Sequence, residues 1–393
     1  MTPVRSLSAL LFLVFAPGAI AQLTLGTGDH SLEIGGYMST FYNQRMLKAG
    51  ETDHNNDRFQ LRNAVVWLEG RHRNSVGYEL QFDVASLAQA GANGVDPENP
   101  GLMEASIAIK CLPHLNMLLG YSKVPYGRSP RVPFVYSPYW QRAEMLRGDI
   151  VSVRDAGITL SSAFWHERIK LYGGAYTGLG EAALGGSNDA SGRPEVIGRI
   201  EVDMPSRYRL REIDDKRSPV PMFSVGASIR TMDKSQPTGS ALPAGVAGAE
   251  GLKVIDGVRT AYGVDGAVQY MGFSGQFELD QVRFEPQSPT DPLYHGVASS
   301  KAQGYVLLGG FMGQLNYFHR KSRSILSVRY EELNWNDLVE GKERRIGGAY
   351  AYQIRDFNFM IKAQYWHILE EETTVAPFKW TDQVRIGIQY VFS

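Results

Sequence analysis

Hydrophobic and polar residues alternate with a period of two along much of this chain. The clearest case is VGYELQFDVAS, where Val76, Tyr78, Leu80, Phe82 and Val84 interleave with Gly77, Glu79, Gln81 and Asp83. That period predicts a strand with one apolar face and one charged face. The pattern returns at the end of the chain in VRIGIQYVF, with Val384, Ile386, Ile388, Tyr390 and Phe392 set against Arg385, Gly387, Gln389 and Val391. It also recurs in IGRIEVDM, MFSVGASIR, SGQFELDQ, ILSVRYEE and DFNFMIKAQY. The polar faces carry Arg199, Glu201, Asp203, Glu278, Asp280, Arg329 and Lys362. Charges at that density suit a wet interior with the apolar face turned to lipid.

Sixteen segments of this kind are predicted, near 32–45, 58–71, 76–86, 103–111, 115–123, 154–163, 167–178, 195–205, 221–232, 259–270, 273–284, 302–317, 324–334, 343–354, 357–368 and 381–392. Their connections alternate in length. Those at 72–75, 112–113, 164–166, 271–272 and 355–356 are short; those at 87–102, 121–153, 179–194, 233–258, 285–301, 335–342 and 369–380 are long. Short turns at one end and long loops at the other mark an all-β transmembrane antiparallel barrel, with both termini on the periplasmic side. The connection 206–220, SRYRLREIDDKRSPV, falls on the short side but is long and charged. Either that turn is extended or the register slips by a strand pair. A soluble sandwich or propeller also has many strands, but it does not require one-sided loop lengths.

The N-terminus supplies an address. Arg5, the apolar run Leu7 to Phe15 and the small-residue site Ala19-Ile20-Ala21 have the three parts of a secretory signal. The run is too short to span a bilayer of about 30 Å. Residues 1–21 are therefore expected to be cleaved, leaving 22–393 as the barrel in the outer membrane of a Gram-negative cell. Mean hydropathy is -0.23, and no later run approaches a spanning helix. Gly 42, Tyr 20 and Phe 17 are high for an α/β enzyme. A lone cysteine, Cys111, excludes an internal disulfide framework. The net charge of -1 gives no reason to expect a nucleic-acid partner.

The third long connection holds the candidate chemistry. YSKVPYGRSPRVPFVYSPYWQRAEMLRG, residues 121–148, has four prolines and five basic residues, with Glu144 as its acid. A sixteen-strand barrel leaves an aqueous lumen unless something narrows it, and a proline-stiffened loop folded inward is the expected constriction. It would carry Lys123, Arg128, Arg131, Arg142 and Arg147 against Glu144 and Asp149. Cations in a narrow, low-dielectric pore attract anions, and guanidinium groups add bidentate geometry for oxyanions. The alternative places these arginines on the outer surface, paired with neighbouring loops or with lipopolysaccharide phosphates.

FQLRNAVVWLEGRHRNSVGYELQFDVA, LLGYSKVPYGR, VRDAGITL and YTGLG…ND…GRPEVIGRIEVD, taken in order, resemble the phosphate-selective porin O/P family over about residues 33–205. The resemblance implies a sixteen-stranded, trimeric outer-membrane channel with an inward third loop and a basic lumen. It places Lys123 before the Pro125-Tyr126 pair, Arg154-Asp155 at the opening of the next strand, Arg58 and Arg62 on one face of the second strand, and Arg199 in the GRIEV strand. Arginine dominates the third loop where that family concentrates lysine.

Other motifs lead nowhere. DHNND (53–57) starts like a calcium loop, but Arg58 follows where a turn glycine belongs, and Ala64 stands in place of the bidentate Glu. The glycine-rich stretch 178–192 lacks the lysine of a phosphate-binding loop. No Ser/His pair stands out, so neither an enzyme nor a cofactor or metal site is expected. The expected function is passive diffusion of small anions, phosphate or other oxyanions, through a homotrimeric porin embedded in outer-membrane lipid and lipopolysaccharide. The substrate path would run past Lys123, Arg128, Arg131, Arg142, Arg147, Arg58, Arg62, Arg154 and Arg199. The rival expectation is a structural barrel subunit of a larger outer-membrane assembly, its lumen plugged.

Overall fold

A computed structural model describes residues 23–27, 29–52, 57–73, 75–89, 101–146, 152–180, 183, 191–234, 257–286, 304–334, 337, 342–371 and 379–392. The proposed signal, 1–21, and most of the DHNND motif lie outside the described residues. The strands in chain order are β1 (Leu23–Thr27), β2 (His30–Leu47), β3 (Arg58–His72), β4 (Val76–Asp83), β5 (Leu102–Leu112) and β6 (Leu115–Lys123). There follow β7 (Arg154–Phe164), β8 (Ile169–Tyr176), β9 (Glu195–Met204), β10 (Met222–Lys234), β11 (Gly257–Tyr270) and β12 (Phe273–Pro286). The last are β13 (Val306–His319), β14 (Ser324–Asn334), β15 (Glu343–Arg355), β16 (Phe359–Glu371) and β17 (Trp380–Phe392).

From β2 onward each strand pairs antiparallel with its successor, and β17 returns to β2 from Trp380↔Leu47 to Phe392↔Gly36. The result is a closed sixteen-strand antiparallel barrel without a sheet edge. At the seam, a Cβ on Gly36 would stand 2.4 Å from the Phe392 ring, so only glycine lets the last aromatic lie over the first long strand. The short β1 is an addition that the alternation did not reveal. It pairs with the foot of β2, Leu23↔Ile34 to Thr27↔His30, continuing the line of β17 past its end.

The period-two alternation becomes an inside and an outside. On β9 and β10, Val196, Ile200, Phe223, Val225 and Ile229 point out and are 45–54% exposed, whereas Arg199, Glu201 and Asp203 point in and are buried. An apolar outer band of this kind is what lipid requires. Several short turns hold non-glycine residues at positive φ, among them Arg73, Met271, Arg323 and Asp356. That backbone matches the right-handed twist of the strands it joins. The strand expected to run to 86 ends earlier, at Asp83. Its buried carboxylate accepts the amides of Ala64 and Ala85, both at 3.0 Å, and turns the chain into the short helix α1 (Val84–Gln89).

The exceptional connection after β9 does not shift the register: Phe223↔Met204 to Thr231↔Val196 pair without a slip. It is an extended turn that folds into the lumen. Glu212 accepts from Ser137 Oγ of the third loop at 2.9 Å and from Gln314 Nε2 at 3.0 Å. Arg211 lies 3.7 Å over the ring of Tyr136, and Ile213 is fully buried among Phe318, Ile325, Phe357 and Met360. The apolar core is therefore divided. Separate clusters, such as Tyr139 with Trp366 and Trp380, clamp inward segments against the wall.

Candidate permeation site

The loop between β6 and β7 lies inside the barrel: Tyr126, Arg128, Tyr139 and Trp140 are at most 1% exposed. Prolines preset its φ angles, and it advances in single 3₁₀ turns at Ser129–Arg131, Phe134–Tyr136 and Glu144–Leu146. Gly127 has φ +68°, and a Cβ there would fall 1.9 Å from Glu278 Oε1. This close approach lets the loop backbone reach the wall, where the amides of Arg128 and Ser129 donate to Glu278 at 3.2 and 2.8 Å. Burial pushes the hydroxyls of Tyr126 and Tyr139 well above the usual tyrosine range, so both stay neutral.

One face of the loop is bonded to the wall. Arg128 Nε donates to Asp265 Oδ1 at 3.1 Å and its terminal nitrogen to Ser224 Oγ at 2.5 Å. Arg131 donates to Glu201 at 2.6 Å and to the Tyr172 hydroxyl at 2.7 Å. Arg199 lies behind them and is fully buried, with Asp265 at 2.5 and 3.0 Å and Glu201 at 3.1 Å. Further round, Lys362 Nζ donates to the Ser137 carbonyl at 2.7 Å, Trp140 N to Gln364 at 2.8 Å, and Arg345 pairs with Glu144 at 2.8 Å. On this side each arginine meets a carboxylate, as buried charge requires.

The other face borders a cavity of about 350 Å³ against β2 to β7, lined by Arg62, Lys123, Arg142 and Arg154 together with Tyr37 and Trp67. Glu104 stands between two of the cations, 3.6 Å from both Lys123 Nζ and Arg154 Nε. Arg154 is 3% exposed, and its Nε has no hydrogen-bond acceptor. Arg142 also braces the loop, donating to the carbonyls of Ser129 and, at 3.1 Å, Val132. The like charges of Arg142 and Arg154 both act on Lys123.

The nine residues read from the sequence thus divide. Arg62, Lys123, Arg142 and Arg154 meet at the cavity. Arg58 shares the inward face of β3 with Arg62 but sits nearer the long-loop end and does not line it. Arg128, Arg131 and Arg199 lie behind the loop in ion pairs, and Arg147 lies outside the described residues. A second cavity of about 530 Å³ includes Arg131, Lys170, Arg207 and Arg209 in its lining. Each of these has a carboxylate at 2.6–2.8 Å.

The sequence reading missed Glu104, and it missed Glu33, Glu69 and Glu79 on the cavity wall. The signal for Glu79 was present, since it sits on the polar face of VGYELQFD.

This architecture is a closed sixteen-strand antiparallel β-barrel. No protein-family model matches the sequence, and no curated protein does. Among solved structures, the anion-selective porin from Comamonas acidovorans superposes with a TM-score of 0.58 at 10% identity, over 92% of this chain and 100% of that one. The outer-membrane expressed OmpT of Vibrio cholerae gives 0.58 at 10% identity over 94% and 100%. The outer-membrane channel DcaP of Acinetobacter baumannii gives 0.56 at 11% identity over 93% and 99%. At such identities the likeness establishes the fold.

Proposed function

We propose that this chain is an outer-membrane porin through which small anions diffuse passively, with Arg62, Lys123, Arg142 and Arg154 as its basic constriction. The observation that carries this reading is the convergence of these four cations on one cavity, with Glu104 beside Lys123 and Arg154. In a narrow lumen with low-dielectric walls, cations clustered at one level raise the local concentration of anions there. Arg58 leads into the constriction from the long-loop end, while Arg128, Arg131 and Arg199 hold the loop in place.

The Comamonas relative is an anion-selective porin by its title, and the same polarity is proposed here on the strength of the charges. The resemblance to the phosphate-selective O/P porins adds phosphate or another oxyanion as the solute. Residues 1–21 are removed on export, the outward apolar band meets outer-membrane lipid and lipopolysaccharide, and the working unit is a homotrimer, a form in which one Vibrio cholerae OmpT structure is also described.

Purified protein in a planar bilayer under a KCl gradient tests this reading. Stable openings with an anion-selective reversal potential are expected, together with block by added phosphate below the chloride concentration. A second reading, a barrel subunit with an obstructed lumen, draws on the filling of the interior by the third loop and by Glu212 and Ile213. Folded, inserted protein that stays silent and co-purifies with stoichiometric partners would establish that alternative.

A further inference from the structure

Several carboxylates inside this barrel pair with cations: Asp265 with Arg128 and Arg199, Glu201 with Arg131 and Lys170, Glu195 with Arg230. Others, Asp83, Asp155 and Glu278 among them, are met by hydrogen bonds. Three glutamates of the cavity wall form a row of their own. Glu33, Glu69 and Glu79 lie directly opposite one another across β2, β3 and β4, Glu33↔Glu69 and Glu69↔Glu79, and all three line the 350 Å³ cavity. Like charges directly opposite in a ladder destabilise it. Among the described residues Glu33 and Glu79 make no ion pair, and Glu69 meets only the exposed Arg71 of its own strand at 3.7 Å. A row this unfavourable, facing water, is set up for a cation that the protein does not itself provide.

The basic pole belongs to the same cavity. Glu79 is level with Ser106 and, through it, with Gly120. Lys123 is three residues further along β6, about 10 Å at ~3.3 Å per residue, and Arg154 lies directly opposite Lys123. Glu79 feels the charges of Glu104 and Glu69 as well as those of Lys123 and Arg154. Arg154 is almost wholly buried at the cavity wall, with Glu104 at 3.6 Å and no acceptor on its Nε.

We infer that the passage favours small zwitterions, amino acids or short peptides, with the carboxylate at Lys123 and Arg154 and the ammonium at the Glu33–Glu69–Glu79 row. This rests on the reading of the cavity as a solute passage and puts zwitterions in place of simple anions as the solutes that pass best. Two extended residues span about 7 Å, and the long Lys and Glu side chains close the remaining distance between the poles. A simple anion is attracted by the first pole and repelled by the second, and a simple cation meets the reverse. Only a solute bearing both charges is stabilised at both levels.

The test is liposome swelling with the full-length protein at about pH 7, where α-amino groups are still mostly protonated. Three solutes of similar size are compared: glycylglycine (zwitterion), N-acetylglycinate (anion) and glycylglycinamide (cation). Wild-type protein is expected to admit glycylglycine several-fold faster than the other two. In the triple variant Glu33→Gln, Glu69→Gln, Glu79→Gln, entry of N-acetylglycinate should rise several-fold and the preference for glycylglycine should vanish. If N-acetylglycinate is fastest in the wild type, or the variant leaves the three relative rates unchanged, the inference is overturned and the anion passage stands. If no solute enters through folded protein, the passage reading itself fails. Should the triple variant not fold, judged by heat-modifiable mobility on a gel, Glu79→Gln alone is expected to shift the same ratios less.

Discussion

Arg128 and Arg154 bracket the inward loop and are almost equally buried, 1% and 3% exposed, yet their surroundings differ. Arg128 is bound to Asp265 at 3.1 Å and Ser224 at 2.5 Å. Arg154 has Glu104 at 3.6 Å. The contrast extends to the two sides of the loop, one a set of close ion pairs and the other a wall of cations and carboxylates that lines a cavity. The same residue type thus fastens a loop on one side and shapes a field on the other. What separates the roles is how closely a carboxylate approaches.

Substitutions at either side break the comparison in different observables. The largest effect is expected from Arg128→Ala, which strips a buried pair of one partner and should cost about 3–5 kcal/mol. Urea unfolding of the folded barrel should show that loss, and a freed loop should make single-channel conductance larger and noisier. Gly127→Ala comes next. It forces a side chain into φ +68° and against Glu278, a cost of about 1–3 kcal/mol in the same assay. Lys123→Gln should hardly alter stability, by less than about 1 kcal/mol, because its ion pair is long and partly solvated. It should instead lower the anion/cation permeability ratio several-fold, read from the reversal potential. The smallest effect separates the two sides without mutation. Raising KCl from about 0.1 M to about 1 M shortens the Debye length from about 10 Å to about 3 Å, so selectivity should fade while the unfolding midpoint hardly moves.

Strands were legible in the sequence because lipid on one side and a charged lumen on the other impose a period of two, and all sixteen predicted segments lie in the barrel within a few residues. The third loop was legible as an inward constriction from its prolines and basic residues, while the sequence left open whether its arginines face the pore or the outer surface. Which of them face water was not legible. Alternation assigns a side chain to the lumen but not to one side of a loop that crosses it, and the deciding partners lie far away in sequence: Arg128 and Asp265 are 137 residues apart, Arg131 and Glu201 70. The end of β4 was missed for a local reason. Val84 continues the apolar period, but the buried Asp83 carboxylate accepts the Ala85 amide and turns the backbone away.

The seam has a consequence for how the barrel comes into being. Closure joins Gly36 to Phe392, so the final ladder waits for nearly the whole chain. Bringing such distant segments together carries a loop-closure entropy that nearest-neighbour hairpins escape, and non-local pairings of this kind are intrinsically slow to form. Until β17 docks, both β2 and β16 are open edges that invite pairing with another chain. The strand β17 is thus a latch as well as part of the wall: a chain lacking it would leave an open, sticky sheet that no amount of correct inner packing could seal.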